Sequence, residues 1–428
     1  MTARTGRRTL EEHCMDQWIV DGATVDGDEA RSIGRRIADA RKARGLTQEA
    51  LAQRSAVSVS LLRKVEQGSR DATPAITAAV AKALGVDVTS LTGQPYDQHG
   101  RRRDRVHTLI PALRRALTYW DLPPELPTPP RPWADLKADA EAVARMRQAA
   151  QHMALAEKLP GLLMETTAAA HGSEGPGRER LFELLTILLF AAHSVTYKTG
   201  YEDLSAVVED RLTWAASHSG DPLMGALAAW ARTTSMLHTG SYDIGLRLLD
   251  RVQAEIDPGG RKDAGTTLRV SGPLHLRSAI LAARGGDAAT AGEHLAEARS
   301  IAEHLGADHD GGWHQLSFGP SNVGIHQVAA AVELGDGVRA LAQARNVRLP
   351  AGLPRIRAGH HYVDLSRAQL WAGHYEGALK SLYAARRLAP QQTRHHPTTR
   401  EVLRMLVRVH RRSNEPLARF VGWIGGEI

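Results

Sequence analysis

The sequence contains very little cysteine and few aromatic residues. A single cysteine, Cys14, rules out an internal disulfide and any zinc or iron–sulfur site built from several thiolates, and so excludes the secreted disulfide scaffolds. With only four Phe, eight Tyr and eight Trp among 428 residues, the core must consist mainly of Ala, Leu, Val and Ile. That composition suits closely packed helices better than an aromatic-rich β-sandwich. We therefore expect an all-α protein.

Long apolar runs are also missing. The longest nearly continuous one, Leu184 to Ala192, has about half of the ~20 residues that a membrane-spanning helix needs. The first residues, MTARTGRRTLEEH, include basic side chains with no apolar segment behind them, which is not the pattern of a secretory signal. We expect a cytoplasmic protein that does not associate with membranes.

The positive charge is concentrated in one short segment. Residues 31–93 hold eleven Lys and Arg against five Asp and Glu, a balance of +6 within a formal net charge of +7 for the whole chain. A local excess of this kind is typical of segments that contact phosphate groups. On charge alone, a solvated basic surface is an equally good explanation.

The chain divides into four parts. Its length predicts two or three domains, and 43% hydrophobic residues exclude a mostly disordered chain. We expect a flexible arm over residues 1–29 and a compact helical domain over 30–93. Residues 94–132 read as a linker with one helix and a stiff proline-rich spacer, LPPELPTPPRP, because proline disrupts helix interiors. Residues 133–428 contain loosely repeated helix pairs.

The repeated unit has a glycine, an aromatic residue two positions later, and a closing proline. The glycine permits a tight turn between two helices, the tyrosine packs at the start of the second helix, and the proline ends it. Intervals of 38 to 49 residues separate successive glycines, longer than the ~34 of a strict tetratricopeptide repeat. The units resemble degenerate tetratricopeptide repeats, which implies an α-solenoid with a concave binding face. The clear copies are Gly240, Tyr242 and Pro258, and Gly373, Tyr375 and Pro390; weaker copies centre on Gly200, Gly286 and Gly335.

The segment LTQEALAQRSAVSVSLLRKVEQG, residues 46–68, predicts two short helices joined by a tight turn. Thr47 is a natural N-cap for the first helix and Ser58 for the second. Leu62 and Val65 then point to the core while small and basic residues point outward. Two such helices at a steep angle fit the major groove of B-DNA.

Residues 31–93 resemble the helix-turn-helix domains of the phage-repressor and xenobiotic-response-element (XRE) regulators. The resemblance rests on the Gln after Thr47, the Ala-x-x-x-small-Val-Ser turn and the Glu-x-Gly close, and it implies a lambda-repressor-like fold of five helices. In the turn, Ala56 stands where the family usually has glycine. A left-handed conformation there costs about 1 kcal/mol.

The resemblance also implies roles for individual residues. Arg41 and Glu66 form a structural ion pair, and Ser58 serves as a helix cap even if its hydroxyl does not touch DNA. The short side chains of the second helix imply modest direct readout, with Val59 suited to a thymine methyl and Lys64 or Arg63 to guanine. The residues expected to bind DNA are Gln48 and Arg70 at phosphates, and Ser58, Val59, Ser60, Arg63 and Lys64 at or near base edges.

The overall build resembles the peptide-responsive regulators of Gram-positive bacteria known as RRNPP, in which tetratricopeptide helices hold a signalling peptide. In the stretch GGWHQLSFGPSNVGIHQ, Asn322 and His326 lie four residues apart on one face of a predicted helix. Asn322 offers a donor and an acceptor to a peptide backbone or small polar ligand, and Trp313 and Phe318 offer an apolar wall. The alternative is that Asn322 fixes the loop and Trp313 belongs to the core.

No pattern favours catalysis, a cofactor or a metal ion. The nearest candidate is a polar loop with three histidines spaced by five residues, which matches no common zinc pattern. Nucleophile elbows, phosphate-cradling Gly-Lys-Ser/Thr loops and HExxH are missing. The histidines of this loop are His304, His309 and His314, flanked by Asp308 and Asp310.

The sequence thus predicts a sequence-specific transcriptional regulator that binds double-stranded DNA as a homodimer. Its repeat domain is expected to sense a peptide or small molecule and to mediate dimerisation. One alternative is a constitutive DNA-binding protein whose repeats form a docking scaffold for other proteins. Another is a metal-dependent hydrolase hidden in the histidine-rich repeats.

Overall fold

A computed structural model describes residues 32–95, 105–123, 125–256, 264–310, 312–410 and 414–425. Across these ranges the secondary structure is helical, apart from one isolated bridge between His309 and Phe318, so the all-α expectation is confirmed. The predicted arm over residues 1–29 and the closing Pro258 lie outside the described residues.

The N-terminal domain contains the five expected helices. Side-chain oxygens of Ser32, Thr47, Ser58 and Thr73 accept hydrogen bonds from backbone N–H groups at the starts of the first four, satisfying donors that a helix leaves free. The first helix is predicted from Ala30 to Arg44 and is observed from Ile33. The helices are α1 (Ile33–Ala43), α2 (Gln48–Ser55), α3 (Val59–Glu66), α4 (Pro74–Leu84) and α5 (Val88–Thr92).

The core of this domain is small and aliphatic. Ile37, Leu51 and Leu62 are fully buried, and Leu91 of α5 closes the same cluster. The backbone of α1 also touches the end of α3: a Cβ at Gly34 would lie 1.9 Å from the carbonyl oxygen of Val65. Glycine at position 34 therefore allows the close approach that sets the position of α3.

The rest of the chain forms a stack of helices. Its core cluster is built from leucine, alanine and valine, as the composition predicts. The helices are α6 (Val106–Ala116, followed by a 3-10 turn Leu117–Tyr119), α7 (Trp133–Gln148), α8 (His152–His171), α9 (Gly175–Thr199), α10 (Glu202–His218), α11 (Pro222–Thr239), α12 (Tyr242–Glu255), α13 (Ala264–Arg284), α14 (Ala288–Leu305), α15 (Pro320–Glu333), α16 (Gly337–Ala344), α17 (Arg355–Trp371), α18 (Tyr375–Leu388), α19 (Pro390–His395), α20 (Pro397–Val409) and α21 (Glu415–Ile424).

Five helix pairs occur at the five predicted glycines: α9 with α10, α11 with α12, α13 with α14, α15 with α16, and α17 with α18. Each glycine adopts a left-handed backbone just after the first helix of its pair, a conformation that few other residues tolerate. The observed φ values are 87° at Gly200, 75° at Gly240, 84° at Gly286, 78° at Gly335 and 75° at Gly373. In the two clear copies, the second helix of the pair, α12 or α18, begins at Tyr242 or Tyr375, and both tyrosine rings pack against the core.

Two features lie between the domains in sequence. The helix predicted within the linker is α6, and its apolar side joins the core of the repeat domain through Val106, Ile110 and Leu113. The proline-rich stretch, residues 122–132, has no helix in its described part, as expected. Within the described part of the predicted linker, this stretch is therefore the connector, and α6 is not.

The helix α9 runs through the centre of the molecule. Its 25 residues are long and apolar enough to cross a membrane by length and composition, yet 83% of the most apolar window is buried inside the protein. Leu184, Leu188 and Ala192 lie on this buried surface. This pattern is that of a core helix covered on all sides by other helices.

A buried ion pair joins the two domains. Asp71, in the loop between α3 and α4, accepts hydrogen bonds from Nε of Arg367 and Nε1 of Trp371, both at 2.9 Å. The side chains of Asp71 and Arg367 are each 3% exposed. Burial alone would raise the pKa of Asp71, but the Arg367 guanidinium and the Trp371 N–H hold it below its ordinary value.

Two further contacts support the docking of the N-terminal domain. Arg408 of α20 donates to the carbonyl oxygen of Gln67, just after α3, at 3.0 Å. Gln94, after α5, donates to the carbonyl oxygen of His395 at 3.0 Å. The repeat domain thus holds the N-terminal domain at three places, and one of them is the C-terminal end of α3.

Candidate DNA-binding surface and central cavity

One face of α3 is exposed. Ser58 caps the helix, its Oγ accepting from the backbone N–H of Leu61 at 3.2 Å. Ser58, Ser60 and Lys64 are exposed, and Val59 is half-buried against the domain core. Leu62 and Val65 face the core, as the sequence predicts. The side that the sequence assigned to DNA is therefore open to solvent.

The end of α3 is fixed by a buried network. Arg41 of α1 meets Glu66 in a two-pronged ion pair, with Nε–Oε1 at 2.7 Å and a second bond of 2.8 Å from the other guanidinium nitrogen to Oε2. Arg41 also donates to the carbonyl oxygen of Leu46 at 2.8 Å. The bond from Glu66 is the largest effect that raises the pKa of Arg41. The structural role expected for this pair is what the geometry shows.

Gln48 connects this network to the exposed face. Its amide nitrogen donates to Oε2 of Glu66 at 2.8 Å, and its amide oxygen accepts from Nε of Arg63 at 3.3 Å. Arg63 also lies 3.7 Å from Oε1 of Glu49 on the surface. Gln48 and Arg63, both predicted to bind DNA, are thus oriented by neighbours on α2 and α3. The second amide N–H of Gln48 remains available for the phosphate contact expected of this residue.

Arg70 is exposed in the loop after α3. Its backbone N–H donates to the carbonyl oxygen of Lys64 at 3.2 Å, and Ser69 Oγ donates to the same oxygen at 3.0 Å. The next residue, Asp71, is buried against the repeat domain. The loop therefore places one cation beside α3 and uses its next residue as the anchor to the repeats.

This geometry agrees with the comparison with known families. A family model described as a helix-turn-helix domain matches residues 32–91. The chain carries an XRE-like helix-turn-helix domain. No curated protein matches the chain. Among solved structures, PlcR of Bacillus thuringiensis, in complex with the peptide PapR7 and DNA, is similar at 12% identity and a TM-score of 0.30, covering 84% of this chain and 96% of the PlcR chain.

The residues predicted to bind a ligand do not form one site. Phe318 is 1% exposed, and its ring lies against Gly272, where a Cβ would come within 2.2 Å of it. Asn322 is 2% exposed and donates to the carbonyl oxygen of Ser317 at 2.6 Å. Both side chains hold the loop before α15, which agrees with the alternative that the sequence left open.

Trp313 and His326 have different surroundings. Trp313, in the 3-10 turn Gly312–His314, donates from Nε1 to Oε2 of Glu183 at 3.0 Å and packs partly against the core. His326 lies one turn after Asn322 on α15, and its Nδ1 is 2.8 Å from the carbonyl oxygen of Asn322. Of the four predicted ligand residues, His326 is the one that lines the central cavity.

The histidine-rich loop is held by other contacts. His314 Nε2 lies 2.7 Å from a carboxylate oxygen of Asp221, and the backbone of His309 pairs with that of Phe318. His304 is exposed on α14. Within the described ranges, no group of three or more His, Cys, Asp or Glu is arranged to hold a metal ion.

A cavity of about 220 Å³ lies between the two domains. Its walls come from the inner helices of the repeat pairs and from the helix-turn-helix domain, which contributes Ala72, Pro74 and Thr77 among others. Sequence reasoning did not find this site, because its residues lie on helices spread from Ile33 to Glu401. Charged residues on its wall include Arg147, Lys198, Glu202, Arg277, Arg284, Glu333, Arg357, Asp364, Arg367 and Glu401.

Three carboxylates of this wall have basic neighbours. Glu333 pairs with Arg284, and Glu401 pairs with Arg404. Glu202 lies 2.5 Å from Nδ1 of His238.

Asp364 lies at a longer distance from its neighbour, with Nε2 of His360 3.8 Å away. Burial raises the pKa of Asp364 to about 7. At neutral pH this carboxyl therefore carries only part of a negative charge.

Three buried histidines on or near the cavity wall are neutral at pH 7. Burial, with a smaller contribution from nearby cations, lowers the pKa of His152, His326 and His396 to about 3 in each case. They therefore add no positive charge near neutrality. The positive charge of the cavity wall comes mainly from its arginines, with part of a charge on Lys198.

Proposed function

We propose that this protein is a sequence-specific DNA-binding transcriptional regulator. The observation that carries the proposal is the helix-turn-helix domain at residues 32–91, whose α3 leaves one face exposed to solvent. In this proposal Ser58, Val59, Ser60 and Lys64 meet base edges in the major groove, with Arg63 beside them. Gln48 and Arg70 contact phosphates on either side of the groove.

The proposed active form is a homodimer. One helix-turn-helix domain makes few contacts, whereas two domains read half-sites about 10 base pairs apart, one turn of DNA. Dimerisation is assigned to the repeat domain, since it forms most of the chain. Because α3 bears short side chains, the spacing and shape of the DNA add to direct readout in setting specificity.

The proposed regulation is through a ligand, a peptide or small molecule, bound in the cavity between the domains. Two features support this assignment: the cavity wall includes helix-turn-helix residues, and the buried Asp71–Arg367 pair connects the same domain to α17. In this proposal, a ligand that contacts both domains changes the position of α3 relative to the α3 of the second subunit. A ligand shifts the equilibrium between two conformations only if it binds one of them more tightly, and contacts to both domains provide that difference.

The test begins with selection of binding duplexes from a random-sequence DNA library by the full chain. Lys64→Ala with Arg70→Ala should then weaken binding to the selected duplex at least tenfold in fluorescence anisotropy. Arg70→Ala alone should reduce the slope of log K against log salt by about 0.9, the value for one lost phosphate contact.

The matched control removes the same two charges from the repeat domain. Lys380 and Arg247 are exposed, with side chains 82% and 72% accessible, and lie on α18 and α12. Lys380→Ala with Arg247→Ala should leave DNA affinity unchanged. Equal affinity of the two double variants would refute the assignment of α3 to DNA.

A further inference from the structure

Four cations on the cavity wall lack a carboxylate partner. In the part of the chain that the structure describes, no ion pair joins Arg147, Lys198, Arg277 or Arg357 to an acidic side chain. We call these four residues the unpaired cations. Two other arginines of the same wall, Arg284 and Arg367, have carboxylate partners.

The unpaired cations come from four separate helices. Arg147 lies at the end of α7, Lys198 at the end of α9, Arg277 on α13 and Arg357 on α17. Their pKa values respond to one another: Arg357 lowers the pKa of both Lys198 and Arg277. The fold therefore brings like charges together in a closed space, where charge repulsion and desolvation both oppose their presence.

Aromatic rings hold these cations in place. The guanidinium carbon of Arg277 lies 3.7 Å from the centre of the Trp230 ring, and that of Arg357 lies 5.4 Å from the same ring. Lys198 Nζ is 4.6 Å from the Tyr197 ring. Such contacts orient a cation and stabilise it modestly, but they supply no negative charge.

The arginines among these cations keep most of their charge at neutral pH, whereas Lys198 keeps only part of it. Burial, and for Arg277 also the neighbouring Arg357, lowers the arginine pKa values to about 9 for Arg277 and about 10 for Arg357, still well above 7. Burial lowers the pKa of Lys198 to about 7. By surface area Arg147 is buried, and Lys198, Arg277 and Arg357 are half-buried on the cavity wall.

We propose that the cavity binds a small anionic ligand that carries carboxylate or phosphate groups and at least two negative charges. The proposal rests on the proposed ligand-sensing function and names the chemistry of the ligand. Anionic oxygens would lie among the unpaired cations, where planar arginine guanidinium groups match carboxylate and phosphate geometry. Leu237 and Ile325 on the same wall offer an apolar surface to the rest of the ligand.

The experiment measures binding of two anionic probes to the full chain by isothermal titration calorimetry and by the melting temperature. Terephthalate tests a dicarboxylate, and phenyl phosphate tests a phosphate ester. Their neutral counterparts are terephthalamide and phenol. We expect at least one anion to bind and raise the melting temperature, with no effect of either neutral compound.

Three variants test the cations themselves. Arg277→Gln should weaken the anion at least tenfold, while Arg277→Lys, which keeps the positive charge, should retain most of the affinity. Arg247→Gln, on the exposed face of α12, should bind as the wild type does. The inference is overturned if neither anion binds, if the neutral compounds bind equally well, or if Arg277→Gln binds the anion as tightly as the wild type.

Measuring DNA affinity in the same preparations separates the two proposals. Loss of anion binding with intact DNA binding would overturn the ligand assignment alone. Anion binding by a protein that selects no DNA sequence would support the ligand assignment and contradict the proposed function.

Discussion

Ala56 holds the turn between α2 and α3 in a left-handed conformation, with φ of 51°. Its N–H closes the end of α2 by donating to the carbonyl oxygen of Gln53 at 3.3 Å. A Cβ in this region crowds the following carbonyl and costs about 1 kcal/mol. The family resemblance predicted this strain, because Ala56 stands where related turns have glycine.

Ala56→Gly should therefore raise the free energy of unfolding, by up to about 0.5 kcal/mol after the entropy cost of glycine is counted. Urea denaturation of the full chain, followed by circular dichroism, measures the change. Ala43→Gly at the exposed end of α1 is the control and should instead destabilise by up to about 1 kcal/mol. If both substitutions destabilise alike, the turn is not strained.

The predictability of single residues depended on whether a family resemblance fixes their positions. Arg41 and Glu66 lie in one domain whose resemblance to a known family places both residues, so their contact was predicted. Asn322 and Phe318 had a plausible ligand chemistry, but the sequence does not show whether a side chain faces a cavity or its own loop. Here the loop before α15 uses both for its own structure.

At the level of helices and turns, glycines were the most reliable signal. The helix pairs were predictable because a left-handed glycine is a local requirement, met within two or three residues of the turn itself. The assignment of α6 was less successful, because its sequence shows a helix but not the surface on which that helix packs. Val106 and Leu113 are fully buried in the repeat core, so α6 is part of that domain.

The loop between α3 and α4 is the element that anchors the helix-turn-helix domain. Asp71→Ala would leave the Arg367 guanidinium buried with no carboxylate, which typically costs about 3–5 kcal/mol. We expect a lower melting temperature and faster hydrogen exchange in α4 and α17, measured by mass spectrometry. Trp371 would lose its acceptor in the same variant.

Asp87→Ala is the matched control for this substitution. Asp87 is an exposed carboxylate in the same domain, at the start of α5, and makes no side-chain capping bond there. Its removal should change the melting temperature little. Similar losses in Asp71→Ala and Asp87→Ala would mean that the ion pair adds nothing to docking.

For the molecule as a whole, the sequence predicted the two domains but not the cavity between them. The unpaired cations lie on four helices spread over residues 147–357, and no local pattern marks any of them. Their significance comes from what surrounds them: Arg284 has a carboxylate neighbour and Arg277 does not. Only the packed structure distinguishes such residues from ordinary surface arginines.

The buried histidines predict how the whole molecule responds to acid. Between pH 6.5 and 3, a histidine in the unfolded chain binds a proton, whereas His152, His326 and His396 in the folded protein stay neutral. Because the unfolded state binds more protons in this range, the free energy of unfolding decreases as the pH is lowered. Asp364, with its pKa raised to about 7, acts in the opposite direction and stabilises the fold as pH falls.

His152→Leu isolates one of these contributions. At 1.36 kcal/mol per pKa unit, the wild type should lose about 2 kcal/mol more stability than this variant between pH 7 and 5. Chemical denaturation at the two pH values gives the difference. His304→Leu, at an exposed position on α14, should show the same loss as the wild type; an unchanged loss in His152→Leu would rule out the buried histidine as a cause.

Because both domains contribute to the wall of the cavity, ligand binding and DNA binding would influence each other. If occupancy of the cavity alters how tightly the chain grips its operator, then the operator must alter cavity affinity by the same factor. A duplex carrying many binding sites would then change how much effector a given quantity of protein retains. DNA binding would then change the affinity of the cavity for its ligand by the same factor by which the ligand changes the affinity for DNA.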